Sequence, residues 1–429
     1  MLRRLRSLPV IFAAALAIRV LFLWMYIAQH PPRALATIPF LFEPGNIAYS
    51  LATGHGFASP FRVDTGPTAW MTPVYPLLLA AIFRIFGAYT LQAFIAAAGF
   101  NVVCSALTCV PLYFIAKRVT GPTAAALATG LWAVFPNAIL LPYESLFDAS
   151  LSALLTALIL WATLTVAESS RLKDWCGYGL LWGTGLMTNA SLICLLPFLL
   201  GWAEYRAHRT KTFHFSRPAL AALMAAFCCA PWAIRNYIEF HAFVPLRSVA
   251  GLALWLGNND RSGGNSVAGL HPISNQRERD RYVELGEIEY MREKQALALQ
   301  YMASHPAEEA RLIADRVTAL WTGGSTNPVR DFAHARNLRF YYVVIFNVLA
   351  AAGAFVGIVV LWRAGSPYAL PLAVFPLIFP LVYYLALAPP RYRHPIDPEL
   401  LLLTAFSISK NKFQGAKIGA RSGHESKPL

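Results

Sequence analysis

The chain has 429 residues, of which 57% are hydrophobic and only 14% charged. A soluble domain of this length needs far more charged surface, so the composition excludes an ordinary soluble protein and points to a multi-pass membrane protein. Lys and Arg number 36 against 22 Asp and Glu, a net charge of +14; membrane topology accounts for much of that excess, and with no basic-aromatic module no nucleic acid is expected as a partner.

Apolar runs fall near 9–28, 90–116, 122–142, 147–167, 175–189, 190–205, 217–234, 340–363, 367–388 and 396–409. Several approach the length of about 20 residues that crosses a bilayer. The predicted fold class is therefore an all-α polytopic membrane protein with about ten transmembrane helices, the pair at 175–205 being short enough to form one broken element. The opening "MLRRLRSLPVIFAAALAIRVLFLWMYIA" has too long an apolar part for a signal peptide and carries Arg19 inside it, so it reads as a retained first span. Arg19, at mid-span, is expected to pair with a carboxylate across the bundle. All six cysteines lie inside apolar runs as small hydrophobes, in no metal spacing and no disulfide framework.

The basic residues between the runs set the orientation. Arg3, Arg4 and Arg6, then Lys117 and Arg118, Arg171 and Lys173, Arg206, Arg209 and Lys211, Arg363, and finally Lys410, Lys412 and Lys417 all fall on one side. The positive-inside rule places that side, and both termini, in the cytoplasm. The chain then divides into an N-terminal transmembrane module (1–234) with a first outward loop (29–89), an outward, partly helical loop (235–339), C-terminal transmembrane helices (340–409) and a cytoplasmic basic tail (410–429). Function is expected to face outward, away from nucleotides, and no phosphate-cradling P-loop is present.

In the first outward loop, "TPVYPLLLAAIFRIFG" (72–87) is apolar but too short to span. It predicts a helix in the interface plane, with a re-entrant or buried segment as the alternative. In the second, "SHPAEEARLIADRVTALW" (304–321) predicts a helix, with Pro306 near its start and Glu308 and Glu309 in its first turn. "NNDRSGGN" (258–265) reads as a turn.

Four stretches carry candidate chemistry. In "FEPGNIAYSLATGHGFASPF" (42–61), Glu43 is a lone acid just past the first span, followed by Pro44-Gly45, which disfavour continued helix. Partly shielded from water, it is read as a general base that takes a proton from a hydroxyl; the plainer reading is a solvated loop acid, and His55 is read as a loop histidine. In "PYESLFDASL" (142–151), Glu144 and Asp148 stand i,i+4, so one helix face would carry both to orient an acceptor or assist the base, unless Asp148 only caps a helix. In "APWAIRNYIEFHAFVPLRS" (230–248), Arg235 lies at head-group depth and offers a fork suited to phosphate oxygens, or anchors the interface with Trp232 and Tyr237. In "APPRYRHPIDPELLLL" (388–403), Arg391, Arg393 and His394 crowd a short outward loop, where the positive-inside rule least wants them, and so require an anion partner, protein or lipid.

These stretches, in this order, resemble the GT-C integral-membrane glycosyltransferases, nearest the family 39-like branch of protein O-mannosyltransferases and bacterial lipopolysaccharide-modifying sugar transferases. The matching features are the acid of the first outward loop with "IAYSLATGHGF", then "TAWMTPVYPLLLAAIFRIFG", "PWAIRNY" with "FVPLRS" and "LGNND", "SHPAEEARL" and "RYRHPIDPELLLL". The resemblance implies a GT-C-like architecture in a bacterial inner membrane with an extracytoplasmic active site. It implies transfer, with inversion, of a sugar from a polyprenyl-phosphate-linked donor to a hydroxyl of a lipid, glycan or protein acceptor. By it Glu43 is the base, with Asp64 as the substitute acid, because many relatives have Asp, often in an Asp-Glu pair, where this chain has Glu43-Pro44. Glu144 and Asp148 match a second outward acid, and Arg235, Arg391 and Arg393 would hold the lipid phosphate. Some relatives use a divalent metal, but the first loop has no Asp-x-Asp, so no metal or other cofactor is expected; membrane lipids are the remaining partners. The competing reading is a multi-pass transporter or lipid flippase without transferase activity, which predicts paired broken helices near mid-membrane.

Overall fold

The structure, a computed structural model, describes residues 7–210, 216–261, 268–327, 330–331 and 337–409. The basic residues Arg3, Arg4, Arg6, Lys211, Lys410, Lys412 and Lys417, the "SGGN" half of the expected turn and the tail 410–429 lie outside these. Among the described residues the architecture is helical, with one isolated bridge, Ala58 to Pro67, and no strand.

All ten apolar runs are helical. The first is α1 (Leu8–Gln29), which begins with Pro at its first turn, where a missing N–H costs nothing. The first outward loop folds into α2 (Pro32–Thr37), α3 (Glu43–Ala52) and α4 (Val74–Phe86). Next come α5 (Leu91–Leu107), α6 (Cys109–Val119), α7 (Pro122–Val134) and α8 (Pro136–Glu144). Pro136 has no N–H to continue α7, and the chain turns there by 41°. The N-terminal module closes with α9 (Ala149–Val166), α10 (Leu172–Thr188), α11 (Leu196–Thr210) and α12 (Ser216–Phe240). Between α10 and α11 the expected break appears as a 3-10 turn, Ala190–Cys194. The second outward loop holds α13 (Ala250–Gly257), α14 (Gln276–Leu285), α15 (Glu287–Ser304) and α16 (Pro306–Thr322). The last part is α17 (Leu338–Arg363), α18 (Ala369–Ile378), α19 (Leu381–Leu385) and α20 (Asp397–Ile408).

Five helices among the described residues are long and apolar enough to cross a membrane, or six if the bent pair α7–α8 is one span. The other apolar runs form shorter helices packed on these. Close packing is achieved with small residues, since apolar side chains gain nothing by leaving lipid for one another. Gly353 and Gly357 of α17 lie against Thr404 and Leu403 of α20, and a Cβ on Gly357 would strike the Leu403 carbonyl. Gly179 and Gly183 of α10 give the same close approach to Ala221 and Cys228 of α12.

The interfacial segment is the helix α4, with Tyr75, Leu79, Ile82 and Phe83 buried and Leu77, Ile85 and Phe86 exposed. That split suits a helix packed on protein along one face and open to lipid along the other. Arg19 is fully buried but meets no carboxylate, contrary to expectation. It donates instead to Ser105 Oγ at 2.9 Å and to the carbonyls of Ala15, Trp132 and Ala133 at 2.9, 3.0 and 3.3 Å. Two of those carbonyls close α7, where the turn at Pro136 leaves helix acceptors to be satisfied.

Candidate active site

Glu43 opens a helix rather than ending one. Pro44 is at the second position of α3, where proline is tolerated, and Gly45 lets the turn lie on the Phe40 backbone, where a Cβ would collide with the carbonyl. The result is a buried carboxylate, 7% exposed, at the wall of a cavity of about 640 Å³. Its Oε1 lies 3.4 Å from His271 Nε2. Nδ1 of that ring accepts from the Ile273 backbone N–H at 3.1 Å, which assigns the proton to Nε2, the nitrogen that faces Glu43. Burial, with help from the nearby Arg391 cation, pushes His271 below its ordinary value, against the opposing pull of Glu43. The ring is therefore neutral at pH 7.

The same cavity collects Asp148, Arg247 and Arg391. Asp148 precedes α9, and its Oδ2 accepts from Ser152 Oγ at 2.8 Å. Burial raises its pKa, opposed by that hydrogen bond and by the Arg247 and Arg391 charges. Arg391 lies 4.0 Å from the centre of the Phe147 ring, and its buried Nε has no hydrogen-bond partner among the described residues. Arg247 projects from the loop after α12 and, like Arg391, makes no ion pair within 4 Å among the described residues. Two guanidiniums in no close ion pair among the described residues, beside two carboxylates and a neutral imidazole, make a cavity able to take both an anion and a hydroxyl. Among the described residues no group of three or more His, Cys, Asp or Glu side chains is placed to hold a metal ion.

The remaining candidates lie elsewhere. Glu144 ends α8 and is ion-paired with Arg339, so it shares no helix face with Asp148; the turn at 145–148 separates them. Arg235 points away from the cavity. It donates to the carbonyls of Thr68 and Phe57 at 2.7 and 2.8 Å and to Asn236 Oδ1 at 3.0 Å, packed among the rings of Trp232, Phe240 and Phe57. These bonds fasten the first outward loop to α12 and keep the guanidinium out of the cavity lining. Arg393 is 1% exposed and equally committed. Nε donates to Asp397 Oδ1 at 2.8 Å, Nη1 to the Leu320 and Trp321 carbonyls, and Nη2 to Asn347. The anion that this arginine required is thus a protein one, Asp397. Asp64 sits in an exposed turn, its Oδ1 accepting from Ser59 Oγ and the Gly66 N–H.

Arg247 and His271 were not singled out from sequence. Arg247 belongs to the "FVPLRS" stretch, twelve positions past Arg235, and only the fold reveals which of the two faces inward. His271 is a single histidine in a polar loop, with no spacing partner to mark it.

Residues 70–234 match the family model described as dolichyl-phosphate-mannose-protein mannosyltransferase. That stretch contains Asp148 but neither Glu43 nor Arg247, His271 and Arg391. No curated protein is similar in sequence. Among solved structures, the oligosaccharyltransferase of Archaeoglobus fulgidus tethered with an acceptor peptide aligns at 12% identity and a TM-score of 0.51, over 93% of this chain and 49% of that one. The oligosaccharyltransferase AglB of the same organism, in complex with an inhibitory peptide and a dolichol-phosphate, aligns at 13% identity and a TM-score of 0.50, over 93% and 50%. The chain thus spans about half the length of the structures it matches, and at this identity the likeness is one of fold. The chain shares the fold of these oligosaccharyltransferases, and its residues 70–234 are similar in sequence to the dolichyl-phosphate-mannose-protein mannosyltransferase family.

Proposed function

We propose that the protein is a membrane glycosyltransferase that moves a sugar from a polyprenyl-phosphate-linked donor to an acceptor hydroxyl, with inversion, on the extracytoplasmic face of a bacterial inner membrane. The observation that carries this reading is one cavity lined by a buried carboxylate, Glu43, and by two guanidiniums, Arg247 and Arg391, that make no ion-pair contact among the described residues. The model for a dolichyl-phosphate-dependent family and the fold shared with an enzyme seen bound to dolichol-phosphate support a lipid-linked donor.

The chemistry follows from the placement. Arg247 and Arg391 bind the lipid phosphate and stabilise the charge that builds on it as the bond to the anomeric carbon breaks. The acceptor oxygen attacks that carbon from the opposite face, and its proton passes to Glu43. His271 places its Nε2–H beside Oε1 of Glu43, at 3.4 Å, and so does not compete with the acceptor hydroxyl as a base. Asp148, close to both arginines, balances their charge while the site is empty. The lipid phosphate is a competent leaving group, so a base, a cation and alignment suffice.

The test is turnover by purified protein in lipid nanodiscs, given labelled polyprenyl-phosphate sugars and a panel of lipid, glycan and peptide acceptors. Replacing Glu43 by Gln keeps the shape and removes the base; kcat is expected to fall by about 10²- to 10⁴-fold with donor binding retained. Full turnover by that variant would falsify the assignment of the base.

A further inference from the structure

A second hollow, of about 510 Å³, opens further along α3. Asn46, Tyr49, Ser50 and Thr53 line it from the helix, and Arg62, Asp64 and Tyr89 close it from the loops. Phe61 stands between this hollow and the catalytic cavity. Its ring lines the hollow and meets the rings of Trp70 and His271 edge-on, at 5.0 and 6.4 Å, and both of those line the cavity. One aromatic side chain therefore separates the hollow from His271, the neighbour of Glu43.

Three features mark the hollow as built for a ligand. Ser50 is 5% exposed, yet its Oγ is buried with no hydrogen-bond partner among the described residues; a buried hydroxyl is ordinarily paired. Tyr49, exposed at 44%, and Tyr89 bring their rings to 5.3 Å and offer an aromatic wall. Tyr89 and Ser59, both in the wall, are held at φ of +56° and +54°, a strained conformation for residues with a Cβ that collects at ligand clamps.

The chemistry of the lining selects the ligand. Asn46 spends its amide protons on the Leu41 and Pro60 carbonyls, at 3.2 and 3.0 Å, and keeps its own carbonyl oxygen as an acceptor. Arg62 is a cation and Asp64 an anion, so neither a phosphate nor a cationic group is favoured. Donors and acceptors interleaved beside an aromatic face suit a neutral ring that carries apolar C–H groups on one side and hydroxyls around its rim.

We propose that this hollow is the acceptor subsite and binds a sugar residue of a glycan acceptor, presenting a hydroxyl past Phe61 toward Glu43. The assignment rests on the glycosyltransferase reading above. Its test is direct binding: full-length protein in phosphatidylethanolamine–phosphatidylglycerol nanodiscs, passed over an array of oligosaccharides and of Ser- and Thr-bearing peptides, with donor-dependent turnover measured in parallel. Retention on a subset of the oligosaccharides is expected. It should fall by about 10-fold or more in Tyr49→Ala and in Ser50→Val and be unchanged in Glu43→Gln, a variant that tests the chemistry alone. Retention of peptides only, no retention of oligosaccharides, or retention indifferent to Tyr49→Ala and Ser50→Val would overturn the subsite; transfer persisting in those cases would leave the glycosyltransferase reading standing. Tyr49-dependent retention without transfer from any donor would instead overturn that reading, and with it the acceptor role.

Discussion

Arg391 and Arg393 stand two positions apart on the last outward loop and meet opposite fates. Arg393 is enclosed, with Asp397 and three backbone or amide acceptors filling its fork; Arg391 leans on Phe147 and turns its charge to the cavity. Residue type and depth were legible in the sequence for both, because a short outward loop with two arginines needs an anion. The i,i+4 spacing of Arg393 and Asp397 is a local signal for the pair, but the closure of the fork by Asn347, Leu320 and Trp321 comes from other elements, and no local pattern shows that. Glu43 was legible for a simpler reason, as the lone acid of an otherwise uncharged stretch. Its partner was not, and the pair governs pH dependence. His271 is pushed below its ordinary value of 6.5 chiefly by burial, so it protonates only under mildly acid conditions. The protonated ring then faces Glu43 as a cation, forms an ion pair with the carboxylate and weakens it as a base. Activity should therefore fall as pH drops below about 6.5. His271→Gln keeps a donor but cannot titrate, and should lose that step from a kcat/KM–pH profile. An acid limb superimposable on the wild type would show that the histidine plays no such part.

Between elements, the two outward loops are clasped at one carboxylate. Glu287, at the start of α15 and 5% exposed, accepts from Thr68 Oγ1 at 2.5 Å, the Ala69 N–H at 2.7 Å, Ser248 Oγ at 2.6 Å and Tyr282 OH at 2.6 Å. Its neighbours in this clasp flank the cavity, since Trp70 follows Ala69 and Arg247 precedes Ser248. Folded helices in the second outward loop were legible from proline and acid placement at 304–321, where α16 spans Pro306–Thr322. The clasp was not, because it joins residues 218 apart in sequence. Replacing Glu287 by Gln puts an amide N–H₂ where an acceptor stood, so that at least one hydroxyl or N–H donor faces another donor. Hydrogen bonds to a charged group contribute about 1.5–3 kcal/mol each, and the loss of even one should lower the thermal midpoint measurably. Hydrogen exchange should quicken at 57–70 and 244–257, and the donor KM should rise more than kcat falls. Unaltered exchange in both segments would mean that the loops are held together elsewhere.

At the scale of the whole molecule, the helices themselves relate the cavity to the charge pattern. α9 starts beside Asp148 at the cavity and ends beside Glu168, which pairs with Arg118 at 2.5 Å. α10 returns from Leu172 to Thr188, again a cavity residue, and α17 runs from the Glu144–Arg339 pair to Arg363. Trp202 Nε1 donates to the Pro367 carbonyl at 3.1 Å, which brings the middle of α11 close to the turn that follows Arg363. The cavity and the basic clusters thus occupy opposite ends of the bundle, and the 18 residues of α9 span about 27 Å between them, close to the thickness of a bilayer core. Hydropathy made the spans legible because each must satisfy its own backbone in lipid; the bend at Pro136 and the short helices after Asn189 depend on packing and emerge only in three dimensions. On the proposed orientation, with the basic end in the cytoplasm by the positive-inside rule, the cavity opens on the other side. Cysteines introduced at the exposed positions Ser170 and Ser304, in a parent lacking native thiols, separate the two ends. A membrane-impermeant maleimide should label Ser304→Cys in intact cells and Ser170→Cys only after permeabilisation; the reverse pattern would place the chemistry on the cytoplasmic face, in reach of nucleotide donors, and would remove the argument for a lipid-linked one.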